Sequence, residues 1–308
     1  MKKIILVLFT ACLAFNQASA WNDKGHMVVA RLAWKELSQE ERTKIHNILK
    51  VHPHYMEFLS SHVPNGYTVE EWVFVRAATW SDWVKSGPPQ RTKYANRPAH
   101  YFDRPLKQDP TLAVPPAIEP VNVVSELKKC MLQIKNGGSQ EDKAVALTNL
   151  FHFTGDIAQP LHCISLYNND YLHGDRGGNM SHVRVDGKEI QLHSFMDRIM
   201  GTSTSYSSIN KTALEIGELV KNQQVKFDKD INDHKTPDEW ANEGFDLAVD
   251  VVYLDGKLKP FNAQDDHHGV APSMPSDYAE DCSQMALYCA GKGGKRLANY
   301  LKEIAALN

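Results

Sequence analysis

Apolar residues recur with helical spacing along most of the chain. A period of three to four residues predicts amphipathic helices over seven segments. These segments cover residues 25–37, 38–49, 118–136, 143–158, 211–223, 237–253 and 283–307. Residues 182–192 instead alternate around an Asp-Gly pair, which predicts a single β-hairpin. The pattern therefore indicates a mainly α fold with one small hairpin.

Local signals refine this picture. Ser38, with Glu41 three residues later, is typical of a capping box at a helix start. The sequence GKGGKRLANYL follows no strand, so we interpret its glycines as helix packing and not as a phosphate-binding loop. Long polar loops cover residues 85–105, 168–179 and 255–275, and loops of this length are often functional. No repeat or long linker divides the chain, which predicts a single domain over 21–308.

The first twenty residues have the three-part form of a secretory signal peptide. Lys2 and Lys3 precede an apolar run over 4–15, and small residues follow at 18–20. We expect residues 1–20 to be removed, so that the exported protein, periplasmic or secreted, begins at Trp21. No later apolar run approaches the ~20 residues of a membrane span, so we expect no membrane association.

Charge and cysteine content narrow the functional classes. The formal net charge of −3 becomes −5 once the two signal lysines leave, which argues against a broad basic face for duplex nucleic acid. Four cysteines remain in an oxidising compartment: Cys130, Cys163, Cys282 and Cys289. Four cysteines allow three pairings, and spacing does not choose among them. Cys130 and Cys163 either pair or stay as buried thiols, whereas a Cys282–Cys289 bridge requires a turn between them, which we expect.

Two histidine–aspartate pairs carry the candidate chemistry. HFTGDIAQPLH places His152 and Asp156 one helical turn apart, with His162 just beyond the helix end. LHSFMD repeats the spacing with His193 and Asp197. Imidazole and carboxylate are ligands of Zn²⁺, and a purely structural site would more often use cysteine. The two pairs together predict a catalytic metal site.

Each residue taken alone also has a simpler interpretation. A single His-x-x-x-Asp is more often a hydrogen-bonded pair than a metal site. His26 is equally consistent with a core histidine, and Asp82 in WSDWV with a helix N-cap. We expect the remaining histidines considered to be solvated, namely His46, His52, His54, His62, His234 and the DDHH stretch at 265–268.

Seven motifs in order extend from the predicted N-terminus to the last helix. They read WNDKGH, WSDWV, AHYFD, HFTGDIAQPLH, DRGGN, LHSFMD and GKGGKRLANYLKEI. This series resembles the zinc-dependent single-strand-specific nucleases and 3′-nucleotidases of the S1/P1 type. The resemblance covers nearly the whole mature chain and implies a mainly α-helical domain with three Zn²⁺ per chain.

The resemblance also implies the ligands of each zinc. The first zinc would be held by Asp82, His100, His152 and Asp156, the second by His162, His193 and Asp197, and the third by Trp21, His26 and the shared Asp156. Trp21 would bind through its α-amino nitrogen and its carbonyl oxygen. Signal cleavage would then create a ligand, so we expect full activity only after export.

Catalytic and substrate-binding roles follow from the same resemblance. Asp82 would orient the attacking water, and Lys85, where the family commonly has Arg, would stabilise phosphoryl oxygens; a solvated lysine is the alternative. Tyr101 would stack on a base and Asp103 bind its edge, which favours unpaired strands. Asn179 would support the phosphate or the ligands, although DRGGN equally suits a turn. The implied substrates of the monomer are single-stranded RNA or DNA, cut to 5′-mononucleotides, and 3′-nucleotides.

Two rival functions use the same residues. The zinc phospholipases C share the N-terminal Trp and the His-x-x-x-Asp motif, but they place Glu at the position of Asp197 and space the first His further from Trp21. A non-catalytic zinc-binding protein would bind metal tightly without turnover. This alternative does not explain why the candidate ligands are scattered from residue 21 to residue 197 instead of clustered in a His-rich tract.

Overall fold

The computed structural model describes residues 21–113, 118–221, 236–262 and 269–307. The predicted fold class is confirmed, because helices dominate and the strands are short. The helices are α1 (Asp23–Glu36), α2 (Gln39–Leu49), α3 (Val69–Ala77), α4 (Trp80–Trp83), α5 (Pro89–Thr92), α6 (Val123–Asn136), α7 (Gln140–Asp156), α8 (Leu192–Arg198), α9 (Tyr206–Lys221), α10 (Pro237–Leu247) and α11 (Tyr278–Ala306). Single turns of π-helix cover Tyr55–Leu59 and Ala248–Val252, and 3-10 turns cover Arg97–His100 and Pro160–His162.

Side-chain caps fix where several helices begin. Ser38 accepts from the Glu41 amide at 3.2 Å, and the Glu41 carboxylate accepts from the Ser38 amide at 2.7 Å. This reciprocal pair is the predicted capping box, and it satisfies two amides that lack helical partners. Ser139 and Asp142 form the same arrangement at the start of α7.

α1 packs along α11. A Cβ atom on Gly294 would lie 2.4 Å from Cβ of Leu32, and one on Gly293 would lie 3.0 Å from Cβ of Ala158. These glycines let the helix backbones approach closely. The interpretation of GKGGKRLANYL as helix packing is confirmed.

The described part of the chain contains five strands, which form two small sheets. β1 (Arg104–Lys107) pairs in parallel with β2 (Ile164–Tyr167). β3 (Ser181–Val185) pairs with β4 (Lys188–Gln191) around Asp186 and Gly187, both with positive φ, and β5 (Phe261–Asn262) adds to β3. The predicted hairpin is confirmed. The parallel pair was not predicted, because four-residue strands carry too little alternation to be recognised.

Two expectations about cysteine and histidine are wrong. Cys282 and Cys289 lie on one uninterrupted helix, α11, so no turn separates them. Both are buried free thiols, so the expected Cys282–Cys289 bridge is not formed. Cys130 and Cys163 are also buried free thiols, which is one of the two alternatives that the sequence left open. Three of the histidines expected to be solvated are buried, namely His46, His52 and His54. His62 is exposed as expected, whereas His234 and residues 265–268 lie outside the described residues.

The buried histidines were missed for a physical reason. His54 accepts from the indole N–H of Trp80 at 3.1 Å, and His52 lies 3.3 Å from the Thr148 hydroxyl. These partners come from distant parts of the chain, so the local sequence gives no sign of them. Among the described helices, none combines the length and apolar character needed to cross a lipid bilayer.

Candidate metal centre

The C-terminal end of α7 carries two predicted ligands into the protein interior. His152 and Asp156 lie one turn apart and are fully buried. α7 ends at Asp156, and the 3-10 turn that begins at Pro160 brings Nδ1 of His162 within 3.8 Å of the Asp156 carboxylate. Because proline cannot continue the helix, HFTGDIAQPLH delivers three side chains to one site.

Asp156 lies at the middle of this site. Its carboxylate oxygens are 2.8 Å from Nδ1 of His100 and 3.2 Å from Nε2 of His152. Nε2 of His26, which comes from α1, is 3.6 Å away. Together with His162, four histidines from separate elements therefore surround one buried carboxylate.

Among the described residues, the candidate metal-binding atoms form three groups, and within each group all atoms lie within 4.8 Å of one another. The groups are His26 with Asp82 and His152, His100 with His152 and Asp156, and His162 with His193 and Asp197. Two ligands of a tetrahedral Zn²⁺ with bonds of ~2.1 Å lie ~3.4 Å apart. The 3.5 Å between His152 and Asp82 and the 3.6 Å between His193 and Asp197 are close to that separation.

The groups agree only partly with the sets that the sequence resemblance implies. All eight His and Asp residues of the predicted ligand set lie in these groups, and the third group has the membership of the predicted second set. The first two groups share His152, whereas the resemblance makes Asp156 the shared residue. Asp156 belongs to the second group and also contacts His26 of the first group. His152 and Asp156 therefore both lie between the first two groups.

The backbone holds three of the histidine rings in one orientation. The Nδ1 atoms bond to carbonyl oxygens in the pairs His152–Ala78 at 2.7 Å, His162–His100 at 2.7 Å and His193–Gly177 at 2.6 Å. A carbonyl only accepts, so each ring carries a proton on Nδ1 and directs Nε2 into the site. Metal-binding histidines in proteins are oriented in this way.

Several buried atoms that could bind a metal have no hydrogen-bond partner within the described part of the chain. They are both ring nitrogens of His26, Oδ1 of Asp156 and Nε2 of His162. A buried polar atom left unpaired costs roughly 1–3 kcal/mol. Coordination of a cation would satisfy these atoms, so the residues present fit a metal site.

Burial and opposing charges set the protonation of the site. Burial lowers the pKa of His26 to about 3 and the pKa of His100 to about 4, so both rings are neutral near pH 7. Burial opposes the His152 cation as well, but Asp156 and Asp82 outweigh it and raise the pKa of His152 to about 10. For Asp156, burial is outweighed by His152 and His100, which hold the pKa well below its usual range. A cation that binds here must displace the His152 proton.

Gly155 allows α1 to approach α7 at the site. The ring of His26 stacks on the ring of His152 with centroids 4.0 Å apart. A Cβ atom on Gly155 would lie 2.5 Å from Nδ1 of His26. Only glycine leaves room for the ring at this contact.

Gly155→Ala is expected to lower the free energy of unfolding by about 1–3 kcal/mol, because the added methyl group overpacks the His26 contact. It should also lower the bound metal, since His26 must move. Denaturant unfolding and elemental analysis measure the two effects. Gly217→Ala is the matched control, because a Cβ atom at this helical glycine meets nothing within 4 Å, and it should stabilise α9 by up to ~1 kcal/mol. Equal destabilisation by both substitutions would contradict the steric account.

Trp21 is fully buried at the start of α1. A Cβ atom on Gly25 would lie 2.6 Å from the Trp21 side chain, so the indole packs closely on the first helical turn. The Asn22 amide donates to the carbonyl of Asp197 at 3.3 Å. The backbone that would carry the predicted mature N-terminus therefore lies beside a residue of the third donor group.

Asp82 and Lys85 lie together at the edge of the site. Asp82 is inside α4, whose N-cap is Thr79, so the N-cap interpretation of Asp82 is wrong. Nζ of Lys85 is 2.7 Å from Oδ1 of Asp82, and both side chains are about one-tenth exposed. Lys85 is thus a partner of a candidate ligand and not a solvated surface lysine.

The predicted substrate-binding residues have different surroundings. The half-buried ring of Tyr101 stacks on His162 with centroids 4.5 Å apart. Asp103 is exposed in the same loop, with a positive φ of 50°. Asn179 donates to the Arg176 carbonyl at 2.8 Å, so its observed contact serves the DRGGN turn.

Sequence reasoning gave no role to two residues inside its own motifs. Gln159 donates to Oδ1 of Asp197 at 3.0 Å and orients that carboxylate. Asp175, the first residue of DRGGN, is fully buried and holds the loop that contains Gly177. Its carboxylate accepts from the Leu166 amide at 2.8 Å and from the hydroxyls of Ser181 and Tyr253, each at 2.7 Å. The only sign of these roles in the sequence was that Gln159 and Asp175 lie inside the motifs HFTGDIAQPLH and DRGGN.

Comparison with known proteins assigns the family. The model of the S1/P1 nuclease family matches residues 21–306. The chain belongs to the S1/P1 nuclease family. The match begins at Trp21, the residue where the sequence predicts the mature protein to start.

Individual known proteins are related to this chain at modest identity. Nuclease S1 of Aspergillus oryzae is 25% identical over 321 residues, which cover 98% of each chain. Nuclease P1 of Penicillium citrinum is 28% identical over 182 residues, 54% of this chain, and the match spans 60% of that protein's length. Endonuclease 4 of Arabidopsis thaliana is 32% identical over 117 residues, 35% of this chain and 37% of its own.

Proposed function

We propose that this protein is an exported, trinuclear zinc phosphodiesterase that hydrolyses single-stranded RNA or DNA to 5′-mononucleotides and removes 3′-phosphates from nucleotides. The observation that carries the proposal is the convergence of eight buried or nearly buried His and Asp side chains into three donor groups. Membership of the S1/P1 nuclease family supports the reaction class. Export is inferred from the signal-peptide pattern of residues 1–20, which lie outside the described residues. We also propose that the protein is a monomer.

We expect three zinc ions per chain. The three donor groups would hold two ions around Asp156 and His152 and a third between His162, His193 and Asp197. The Trp21 amine and carbonyl would complete the coordination of the ion nearest His26. When bound, Zn²⁺ supplies positive charge to phosphate oxygens and lowers the pKa of the attacking water. This charge compensates for an overall acidic protein that would otherwise repel its substrate.

Asp82 and Lys85 would act directly on the substrate. Asp82 is about one-tenth exposed, unlike the fully buried Asp156, so it can reach a water molecule at the edge of the site and orient it. The Lys85 ammonium, 2.7 Å from Asp82, would stabilise the negative charge that develops on the phosphoryl oxygens. Attack on phosphorus with departure of the 3′ oxygen leaves the phosphate on the 5′ side.

Tyr101 and Asp103 would select unpaired bases. The Tyr101 ring lies against His162 and is half-buried, which leaves part of it for stacking. Stacking requires a base that is free of its own neighbours, and Asp103 would accept from its edge. The names nuclease and endonuclease of the relatives agree with a polynucleotide substrate.

The decisive experiment uses protein that begins at Trp21. Metal content is measured by elemental analysis, and hydrolysis of single-stranded DNA, RNA, a 3′-nucleotide and phosphatidylcholine is assayed before and after chelation. We expect three zinc ions per chain and chelator-sensitive hydrolysis of the first three substrates. Hydrolysis of the lipid alone would establish the phospholipase alternative, and zinc without turnover would establish a binding protein.

Lys85→Met is expected to lower kcat roughly 10- to 100-fold on single-stranded DNA, because it removes a charge beside the reacting phosphate while keeping an unbranched side chain that is shorter by one heavy atom. Lys85→Arg should retain most of the rate, since it keeps the charge. Steady-state kinetics of both variants, with zinc content measured alongside, test the assignment. An unchanged kcat in Lys85→Met would show that Lys85 only orders Asp82.

A further inference from the structure

A basic segment begins and ends at the metal centre. Residues 85–97 start three positions after Asp82, which lies in α4, and end three positions before His100. Asp82 and His100 both belong to donor groups, and His100 Nδ1 is 3.9 Å from Oδ1 of Asp82. The basic segment is therefore a loop whose two ends meet at the candidate site.

The charge of this segment differs from that of the protein. Four of its 13 residues are basic and none is acidic, whereas the whole chain has 34 basic and 37 acidic residues among 308. The basic residues are Lys85, Arg91, Lys93 and Arg97. A cluster of one sign beside a phosphodiester-cleaving site would attract a polyanion.

Aromatic packing fixes the basic segment to the core. The Tyr94 ring lies 5.3 Å from the ring of His54 and 5.6 Å from that of Trp80. The Arg91 guanidinium lies 4.2 Å from the centre of the Trp83 ring and donates to the Ser86 carbonyl. These contacts restrict the backbone that carries the cations, so a bound strand would not have to order a free loop.

The two basic residues nearest the C-terminal end of the basic segment face solvent. Lys93 and Arg97 are exposed, and Arg97 donates to the Lys85 carbonyl at 2.8 Å. This bond holds the Arg97 guanidinium next to Lys85, the residue that would contact the cleaved phosphate. Guanidinium and ammonium groups are the side chains that bind nucleic-acid phosphates.

We propose that the basic segment 85–97 binds backbone phosphates of a single-stranded polynucleotide outside the bond that is cut. The proposal rests on the proposed nuclease function and adds a second recognition surface to it. A 3′-mononucleotide has no phosphate beyond the reacting one, so it would not use this surface. The segment therefore favours polynucleotides over mononucleotides.

The test is a Lys93→Gln/Arg97→Gln double variant of the zinc-loaded protein, assayed on a 20-nucleotide single-stranded DNA and on a 3′-mononucleotide. We expect kcat/KM on the oligonucleotide to fall about 10-fold at low salt. The slope of log kcat/KM against log salt should become shallower by about 1.4, at ~0.7 per phosphate contact on a single strand. Hydrolysis of the 3′-mononucleotide should change less than about twofold.

Two control variants make the result specific. Lys50→Gln/Lys188→Gln removes the same charge from two exposed lysines in α2's C-cap and in β4, and it should leave both substrates unaffected. Lys93→Arg/Arg97→Lys keeps the charge and should retain the oligonucleotide rate.

Three outcomes would count against the proposal. An unchanged oligonucleotide rate and salt slope in the double Gln variant would overturn it. Equal losses on both substrates would also overturn it, because they would show an effect on the reacting phosphate. If the unmodified protein hydrolyses neither substrate, the nuclease function itself fails, and this inference fails with it.

Discussion

Asp156→Ala is expected to lower kcat/KM on single-stranded DNA by roughly 1000-fold or more and to remove at least one of the three proposed zinc ions. Asp156 contacts His26, His100, His152 and His162 and lies between two donor groups. Its loss leaves those histidines without the carboxylate that draws them together. A 1000-fold loss corresponds to about 4 kcal/mol of transition-state stabilisation.

Zinc content and single-turnover hydrolysis on the same preparation measure this effect. Asp156→Asn should lose nearly as much, because it keeps the shape but replaces an anionic ligand with a neutral amide. Glu141→Ala is the control on the same helix, since this carboxylate is exposed in the first turn of α7 and far along it from Asp156. Full zinc content in Asp156→Ala would contradict the central position of Asp156.

A protein that keeps one extra residue before Trp21 is expected to bind two zinc ions instead of three and to lose about 100-fold or more in activity. In that protein the Trp21 nitrogen is a peptide amide, whose lone pair is delocalised and does not bind zinc at neutral pH. Asn22 binds the Asp197 carbonyl, and Trp21 is buried against α1, so the backbone at this end is already fixed in place.

The comparison requires two proteins that differ only at this end. One begins at Trp21 after cleavage of a removable leader, and the other keeps Ala20. Trp21→Phe with a free amine is the third sample, and it should keep three zinc ions, because the amine and not the indole is the proposed ligand. Equal zinc and equal activity in the first two proteins would exclude the α-amino group as a ligand.

The fold class, the hairpin and the α2 capping box were predictable because each depends on residues close in sequence. Ser38 and Glu41 are three positions apart, and Asp186 and Gly187 are adjacent. The prediction failed where partners are distant. His54 is buried by Trp80, and β1 pairs with β2 across 60 residues of sequence, so no local pattern reports either contact.

The candidate ligands were found in sequence through motif order, but their arrangement was not. Spacing alone joins His152 to Asp156 and His193 to Asp197, since each pair lies on one helix. It does not show that His26 stacks on His152, nor that Gly155 makes room for that ring. Spacing also did not show that Cys282 and Cys289 lie on one continuous helix, α11, which has no turn between them.

The sequence by itself determined the family, the mainly helical fold and which side chains are candidate metal ligands, because helical periodicity and motif order can be read from residues close together in the chain. Only the tertiary structure decided which donors share a group, which carbonyls orient the rings and where the basic segment lies. Those features depend on distances between elements far apart in the chain. The packing of α1, α7 and the 3-10 turns around Asp156 sets those distances.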